Sequence, residues 1–383
     1  MSIVRKRIAI LADFPWSYFA EGAVGRGGGQ GSTWLVQLAD EFSKSRDYEF
    51  HWISLDRSGS IQKMESRSWN GQMFHRIPAI KLSFDLLAGY RFSRRRLKAA
   101  LTRVDPALVH CWGSERAYPV ICSGSKVPTV FSLQGILHHL SSLDLLPAIW
   151  QWRAISKWEA RYLSTATVVT CESSWGAEVV KRTFPTIDLR KVEYGVHPSF
   201  FNVRWQPEEQ ESYALFVGTL NRGKGIDTLI EAMSRLPHRR WRLKVAGDGP
   251  LREVLEARNI PGIEWLGLIR WDELKARLSK ATCLVLPTLA DTSPNVVKEA
   301  RVVGLPVITS PHGGQTDYVW DGENGFIVDP SDPDQIAAAL SKLMDDPELS
   351  KTMGACRLEE NRDYLRPART AEGFLRIYRE LLA

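Results

Sequence analysis

Short apolar runs rich in β-branched and aromatic residues alternate along this chain with longer stretches in which apolar positions return every three or four residues. In the first half, the runs at 7–13 (RIAILAD), 48–55, 73–77, 107–112, 128–133 and 166–171 predict strands. A second series follows at 213–218, 241–247, 263–267, 282–287, 306–309 and 325–328. Between them, spacings such as Leu229, Ile230, Met233 and Leu236 predict amphipathic helices. Regular alternation of the two predicts parallel sheets wound on both faces. Twelve strands are too many for one compact sheet, and the polar gap 197–212, with two prolines and no period, marks a boundary. The expected organisation is therefore α/β, with two doubly wound domains over 1–200 and 201–365 facing a cleft. The tail from Pro333 to Ala383 reads as three consecutive helices, and 366–383 is the candidate to pack back on the first domain.

Composition adds limits. Of 383 residues, 44% are hydrophobic and 25% charged, as in an ordinary globular chain. No apolar run is long enough to span a bilayer. The basic and then apolar start resembles a signal peptide, but Asp13 interrupts it and no small-residue cleavage site follows, so it reads as a first buried strand. Five scattered cysteines give neither a metal nor a disulfide pattern, and a cytoplasmic setting is the expectation. Charge is uneven: residues 1–200 carry 26 Lys and Arg against 17 Asp and Glu, and the remainder carries 24 against 27. A basic first half expects an anionic partner. Nucleic acid is not expected, because no recognition-helix, zinc-finger or RNA-binding signature is present.

Ligands of open α/β sheets bind beyond the carboxyl ends of strands, so the segments that follow strands carry the candidate chemistry. The first is LFVGTLNRGKGIDTLIEAM, 215–233, which spells strand, glycine-bearing loop and helix. Gly218, Gly223 and Lys224 give the spacing of a nucleoside triphosphatase loop, yet Gly225 stands where a hydroxyl must hold Mg²⁺. A phosphate site without that metal fits these residues, and a tight turn with an exposed lysine fits them as well. The second segment runs from Cys283 to Gly314. Its strand ends at Pro287, a loop carries Asp291, Ser293 reads as a helix N-cap with Pro294 at the first helical position, and the helix carries Glu299. Helical side chains lean toward the N-terminus, which points Glu299 back toward Asp291. Two carboxylates beside a helix N-terminus suit a ligand bearing both phosphates and sugar hydroxyls.

This segment resembles the signature of the retaining glycosyltransferases of family 4, which have the GT-B fold of two Rossmann-like domains. The resemblance rests on Pro287, Asp291, Glu299-Ala300, GLPVIT and Gly313-Gly314. It also rests on Val217, Gly218, Leu220, Lys224, Gly225, Leu229, Ile230 and Ala232, on VAGDGPLRE and on DGENGFIVDP. It covers residues 213–330 closely. The first half is similar more loosely, through Gly27 to Gly31, LVHCWG and VEYGVHPSFF.

The resemblance implies a nucleotide diphosphate-sugar donor, a glycan or lipid-linked acceptor and no cofactor or metal. It implies catalytic roles for Lys224 on the diphosphate, Asp291 on the donor sugar and Glu299 on the ribose hydroxyls. Gly218, Ser293, Pro294, Asn295 and Val296 would line the donor. Gly28 and Gly29 would approach the diphosphate or acceptor from the first domain. No protein nucleophile is implied; a front-face displacement, with the departing phosphate oxygen helping to deprotonate the acceptor, is the expected route.

The chain departs from the family pattern at three positions. Thr219 stands where Arg is common, and Arg222 is the candidate replacement. Asp291 replaces the commoner Glu. Gln134 occupies a position that is often His, and an amide is no base near neutral pH. The nearby His138 and His139 read as solvated loop residues. Two basic stretches, 88–101 and 145–163, the second with three tryptophans, suit an anionic membrane surface and a peripheral location at the inner face of the membrane. The resulting expectation is transfer of a sugar to a hydroxyl of a cell-surface polysaccharide or glycolipid precursor. The rivals are a donor-binding protein without turnover, a nucleotide-sugar epimerase and a dinucleotide oxidoreductase. The last is disfavoured because 27–31 lacks G-x-G-x-x-G spacing.

Overall fold

The computed structural model describes residues 5–19, 33–207, 212–236 and 242–383. They form two compact units. The first comprises residues 1–172, 176–194 and 367–383; the second comprises 173–175 and 195–366.

The first unit is built on eight strands: β1 (Lys6–Leu11), β2 (Tyr48–Asp56), β3 (Glu65–Trp69), β4 (Gln72–Pro78), β5 (Leu108–Trp112), β6 (Thr129–Ser132), β7 (Val168–Cys171) and β8 (Leu189–Lys191). Their order is β3-β4-β2-β1-β5-β6-β7-β8, parallel throughout except where β3 pairs antiparallel with β4. Parallel strands covered by helices on both faces are buried on both faces, which is why β1 reads IAIL and β5 reads LVHCW without polar alternation. All twelve apolar runs form strands. The pattern misses β3 and β8, both at sheet edges, where ESRSW and LRK have no second apolar face to fill.

The second unit carries β9 (Ala214–Val217), β10 (Leu243–Ala246), β11 (Ile263–Gly267), β12 (Cys283–Leu286), β13 (Val307–Thr309) and β14 (Gly325–Ile327). They are all parallel in the order β11-β10-β9-β12-β13-β14. Helix Ile226–Ser234 shows how its layers are fixed. Ile226, Leu229, Ile230 and Met233 recur at i, i+3, i+4 and i+7 and are all buried. Each such side chain contributes about 1.5–3 kcal/mol on burial, and truncating one, as in Leu229→Ala, costs about 2–5 kcal/mol.

Two local expectations need correction. The tail holds four helices rather than three: Pro333–Asp345, Pro347–Ala355, Leu358–Tyr364 and Pro367–Leu382. Pro347 and Pro367 each open a helix, and Arg357, left-handed at φ 52°, breaks the run between them. The helix after the Asp291 loop begins at Asn295, with Pro294 at the N-cap in extended conformation, so Ser293 does not cap it. The Ser293 hydroxyl lies instead 3.4 Å from the Tyr318 hydroxyl.

Helix Pro367–Leu382 belongs to the first unit, where Phe374, Ile377 and Tyr378 enter the core. Tyr378 lies 2.6 Å from Nδ1 of the fully buried His110, whose Nε2 lies 2.6 Å from the Ser132 hydroxyl. Burial holds this imidazole well below its ordinary pKa, in the neutral form that has one donor and one acceptor for its two partners. No helix among the described residues is long and apolar enough to cross a membrane.

Candidate active site

Strand order reverses direction on either side of β9: β10 and β11 lie on one flank, β12 to β14 on the other. The crevice at the carboxyl ends of β9 and β12 is the topological switch point of this sheet, the position where such sheets bind ligands.

The loops after these two strands are stitched together. Leu289 N–H (2.9 Å) and the Thr288 hydroxyl (2.8 Å) both donate to the carbonyl of Gly223. Asn221 caps the short turn Arg222–Lys224 by accepting from Lys224 N–H at 3.0 Å. Gly225 then adopts φ 68°, and a Cβ there would fall 1.9 Å from the Pro287 carbonyl oxygen. Both the left-handed backbone and the absent volume demand glycine. The residue that removes the magnesium hydroxyl is therefore the one that lets the two loops close.

Closure brings the Lys224 ammonium into a hydrogen-bonded ion pair with Asp291, and both side chains are partly buried. Asp291 is fixed in turn by the loop after β13: its N–H donates to the His312 carbonyl at 3.1 Å, and its carbonyl accepts from Gly314 N–H at 3.0 Å. A Cβ on Gly313 or Gly314 would fall 2.4 Å or 2.2 Å from the carbonyls of Asp291 and Thr292, so the glycine pair admits this approach.

Glu299 sits on helix Asn295–Val303 and is partly buried. Its carboxylate makes no hydrogen bond or ion pair among the described residues. Burial pushes its carboxyl up to about 7, against a small opposing pull from Lys298. A carboxyl group half in protein and without a partner is a ready acceptor for ligand hydroxyls.

The other expected residues distribute as follows. Gly218, whose N–H donates to the Ala246 carbonyl at 3.0 Å, directly follows β9. Thr219 and Arg222 are exposed on the same loop, and Arg222 makes no side-chain bond among the described residues. Ser293 and Pro294 are buried, Asn295 is exposed at the helix start, and Val296 packs on the core of the second unit. Gly28 and Gly29 lie outside the described residues. Gln134 belongs to the first unit.

Around Gln134, the first unit has polar chemistry that sequence reasoning overlooked. The order of its sheet also reverses between β1 and β5. Across that point Asp13, just after β1, accepts from the Tyr118 hydroxyl and pairs with Arg116 at 2.5 Å. Glu115 Oε2 and Gln134 Oε1 both lie over the bare Cα face of Gly113. Burial and the neighbouring charges of Glu159 and Asp13 raise the Glu115 carboxyl to about 7, despite opposing contributions from a backbone hydrogen bond and Arg116. His138 is not a solvated loop residue. It lies on helix Leu137–Ser142, and its backbone N–H (2.9 Å) and Nδ1 (2.8 Å) both engage the buried Glu159, which also accepts from Ser114. The available signal was positional: GSE directly follows a buried strand, as the Asp291 loop does.

Two α/β sheets, parallel but for β3 and each with polar residues at a switch point, have the architecture of the GT-B fold. The family comparisons agree. The "Glycosyl transferases group 1" model matches residues 200–356 and the "Glycosyltransferase Family 4" model matches residues 27–199. The chain belongs to the group 1, family 4 glycosyltransferases. An uncharacterized glycosyltransferase of Methanocaldococcus jannaschii is 25% identical, over 81% of this chain and 84% of its own. Among solved structures, the sucrose-phosphate synthase of Thermosynechococcus elongatus superposes with a TM-score of 0.78 at 19% identity, covering 98% of this chain and 99% of that one. The Anabaena protein HepE in complex with UDP-glucose superposes with a TM-score of 0.67 at 14% identity, covering 98% and 100%.

Proposed function

We propose that this glycosyltransferase uses a nucleotide diphosphate-sugar donor and transfers the sugar, with retention of anomeric configuration and without a metal ion, to a hydroxyl of a polysaccharide or glycolipid precursor. The observation that carries the donor assignment is the ion pair of Lys224 with Asp291 across the β9–β12 switch point, with the Glu299 carboxyl on the following helix unpartnered among the described residues. The named complex of a structural relative with UDP-glucose supports the same donor class.

In this reading the diphosphate displaces Asp291 from part of the Lys224 ammonium. As the bond from sugar C1 to the phosphate oxygen breaks, negative charge grows on the leaving diphosphate, and Lys224 stabilises it where water is scarce. Asp291, released toward the sugar, accepts from donor hydroxyls. Glu299 accepts from the ribose hydroxyls. The acceptor hydroxyl attacks C1 on the face the diphosphate leaves, and its proton passes to the departing phosphate oxygen, so no covalent protein intermediate forms. In the first unit, Glu115 and Gln134 supply acceptors for hydroxyls at the carboxyl ends of β5 and β6.

Incubation with a nucleotide-sugar panel and a membrane-lipid or oligosaccharide acceptor pool, with NMR of the product anomer, tests the reading. A product with the donor's anomeric configuration, formed equally with and without a chelator, is expected. An inverted product or dependence on a divalent metal contradicts it.

A further inference from the structure

Large exposed apolar side chains are unevenly placed in this protein. Of eight among the described residues, six lie in two segments of the first unit: Phe84, Leu87 and Phe92 in one, Leu143, Ile149 and Trp150 in the other. The first segment holds helix Leu82–Leu87 and the start of helix Arg91–Val104; the second leads into helix Trp150–Leu163. These elements adjoin. Helix Leu82–Leu87 packs on both of the others, Tyr90 lies 6.0 Å from Trp158 between ring centroids, and Gly89 lies against the Trp158 edge. Phe84 and Leu87 are 63% and 73% exposed, one helical turn apart on the same face.

The charges around this patch are mostly basic; the exception at its surface is Asp144, exposed beside Leu143 and 3.8 Å from Arg153. From Lys81 to Lys98 six of seven charged residues are basic, and the single acid, Asp85, is fully buried. Asp85 is also neutralised, by Arg57 at 3.4 Å. Arg91, Arg95 and Lys98 recur at i, i+4 and i+7 on the exposed side of their helix. Arg153 and Lys157 are exposed on helix Trp150–Leu163. Contiguous exposed apolar side chains rimmed by polar residues mark interaction sites. A second copy of the chain meeting this face about a two-fold axis would set its basic residues against themselves. An anionic bilayer complements both features: aromatic and aliphatic side chains enter the headgroup region and the basic rim meets lipid phosphates.

We propose that helices Leu82–Leu87 and Arg91–Val104, with the segment entering helix Trp150–Leu163, form a docking surface for an anionic lipid bilayer. The surface deepens the glycosyltransferase reading, on which it rests for its purpose of bringing the enzyme to a lipid-linked acceptor.

Sedimentation tests it, with vesicles of phosphatidylcholine alone or mixed equally with phosphatidylglycerol. The proteins are the full chain, the variant Arg91→Glu/Arg95→Glu/Lys98→Glu, and the variant Phe84→Ser/Leu87→Ser. The native chain is expected to pellet with mixed vesicles at low salt and not with phosphatidylcholine. Each variant is expected to bind the mixed vesicles about tenfold more weakly or less, with an unchanged melting temperature. Absence of native binding at low salt overturns the proposal. So does native-like binding by both variants, or a native dimer that the apolar variant dissociates. Thermal shift by a nucleotide-sugar, measured in parallel, separates the two readings: its loss with vesicle binding intact defeats the donor assignment alone.

Discussion

Lys224, Asp291 and Glu299 differ in what holds them, and their substitutions separate accordingly. Lys224→Ala removes the cation proposed to face the leaving group and takes the Lys224 ammonium away from Asp291. Loss of about a hundred- to a thousandfold in kcat/KM is expected. Asp291→Asn frees the ammonium, so affinity for the free nucleoside diphosphate holds or rises while transfer falls; calorimetric titration beside a transfer assay checks the opposite signs. Glu299 carries a pH signature. Its folded pKa, about 7, lies above the ordinary carboxylate value. The stability linked to the proton it binds is thus whole below the unfolded pKa and is lost as pH rises through 7. Glu299→Gln should remove that component of the decline in melting temperature between about pH 5 and pH 8. Affinity for an intact nucleotide-sugar should rise through the same window in the native chain and stay flat in the variant. These residues were legible because each follows a strand at a recognisable spacing. Glu115 and the Glu159–His138 pair were not. Their chemistry depends on three segments distant in sequence, 13–16, 113–116 and 134–159, meeting at strand ends.

At the scale of elements, the loop between β9 and helix Ile226–Ser234 invites a simple engineering error. Gly225→Ser would complete the triphosphatase pattern in sequence. In the fold, it places a Cβ 1.9 Å from the Pro287 carbonyl oxygen at a positive φ. The expected result is a loss of about 2 kcal/mol or more and no gain of magnesium-dependent nucleotide binding. Thermal unfolding with and without Mg²⁺ and nucleotide measures both. Core strands declared themselves through continuous apolar runs. Edge strands β3 and β8 did not, because a strand with little buried surface has no reason to be apolar. Helix ends were legible only in part: a Ser-Pro pair favours an N-cap at Ser293, but Pro294 takes the extended conformation and the helix opens one residue later.

In the whole molecule, the chain's last helix stabilises its first unit. Phe374 and Tyr378 are fully buried there, and Tyr378 engages His110 on the central strand β5. Tyr378→Phe leaves a buried imidazole nitrogen without its partner, and a cost of about 1–3 kcal/mol is expected. Deletion of residues 367–383 strips the core of one unit and leaves the contents of the other untouched, so two thermal transitions should separate, with only the earlier displaced. The switch-point site contains no residue of the deleted segment. The most direct measurement of the central claim, that Lys224 holds the donor diphosphate at the β9–β12 switch point, is a thermal-shift screen of UDP-, GDP- and ADP-sugars on the native chain and on Lys224→Ala. At least one nucleotide-sugar should raise the native melting temperature, by mass action on the folded state, and that rise should collapse in the variant. A shift of the same size in both proteins, or none from any nucleotide-sugar, would contradict the account.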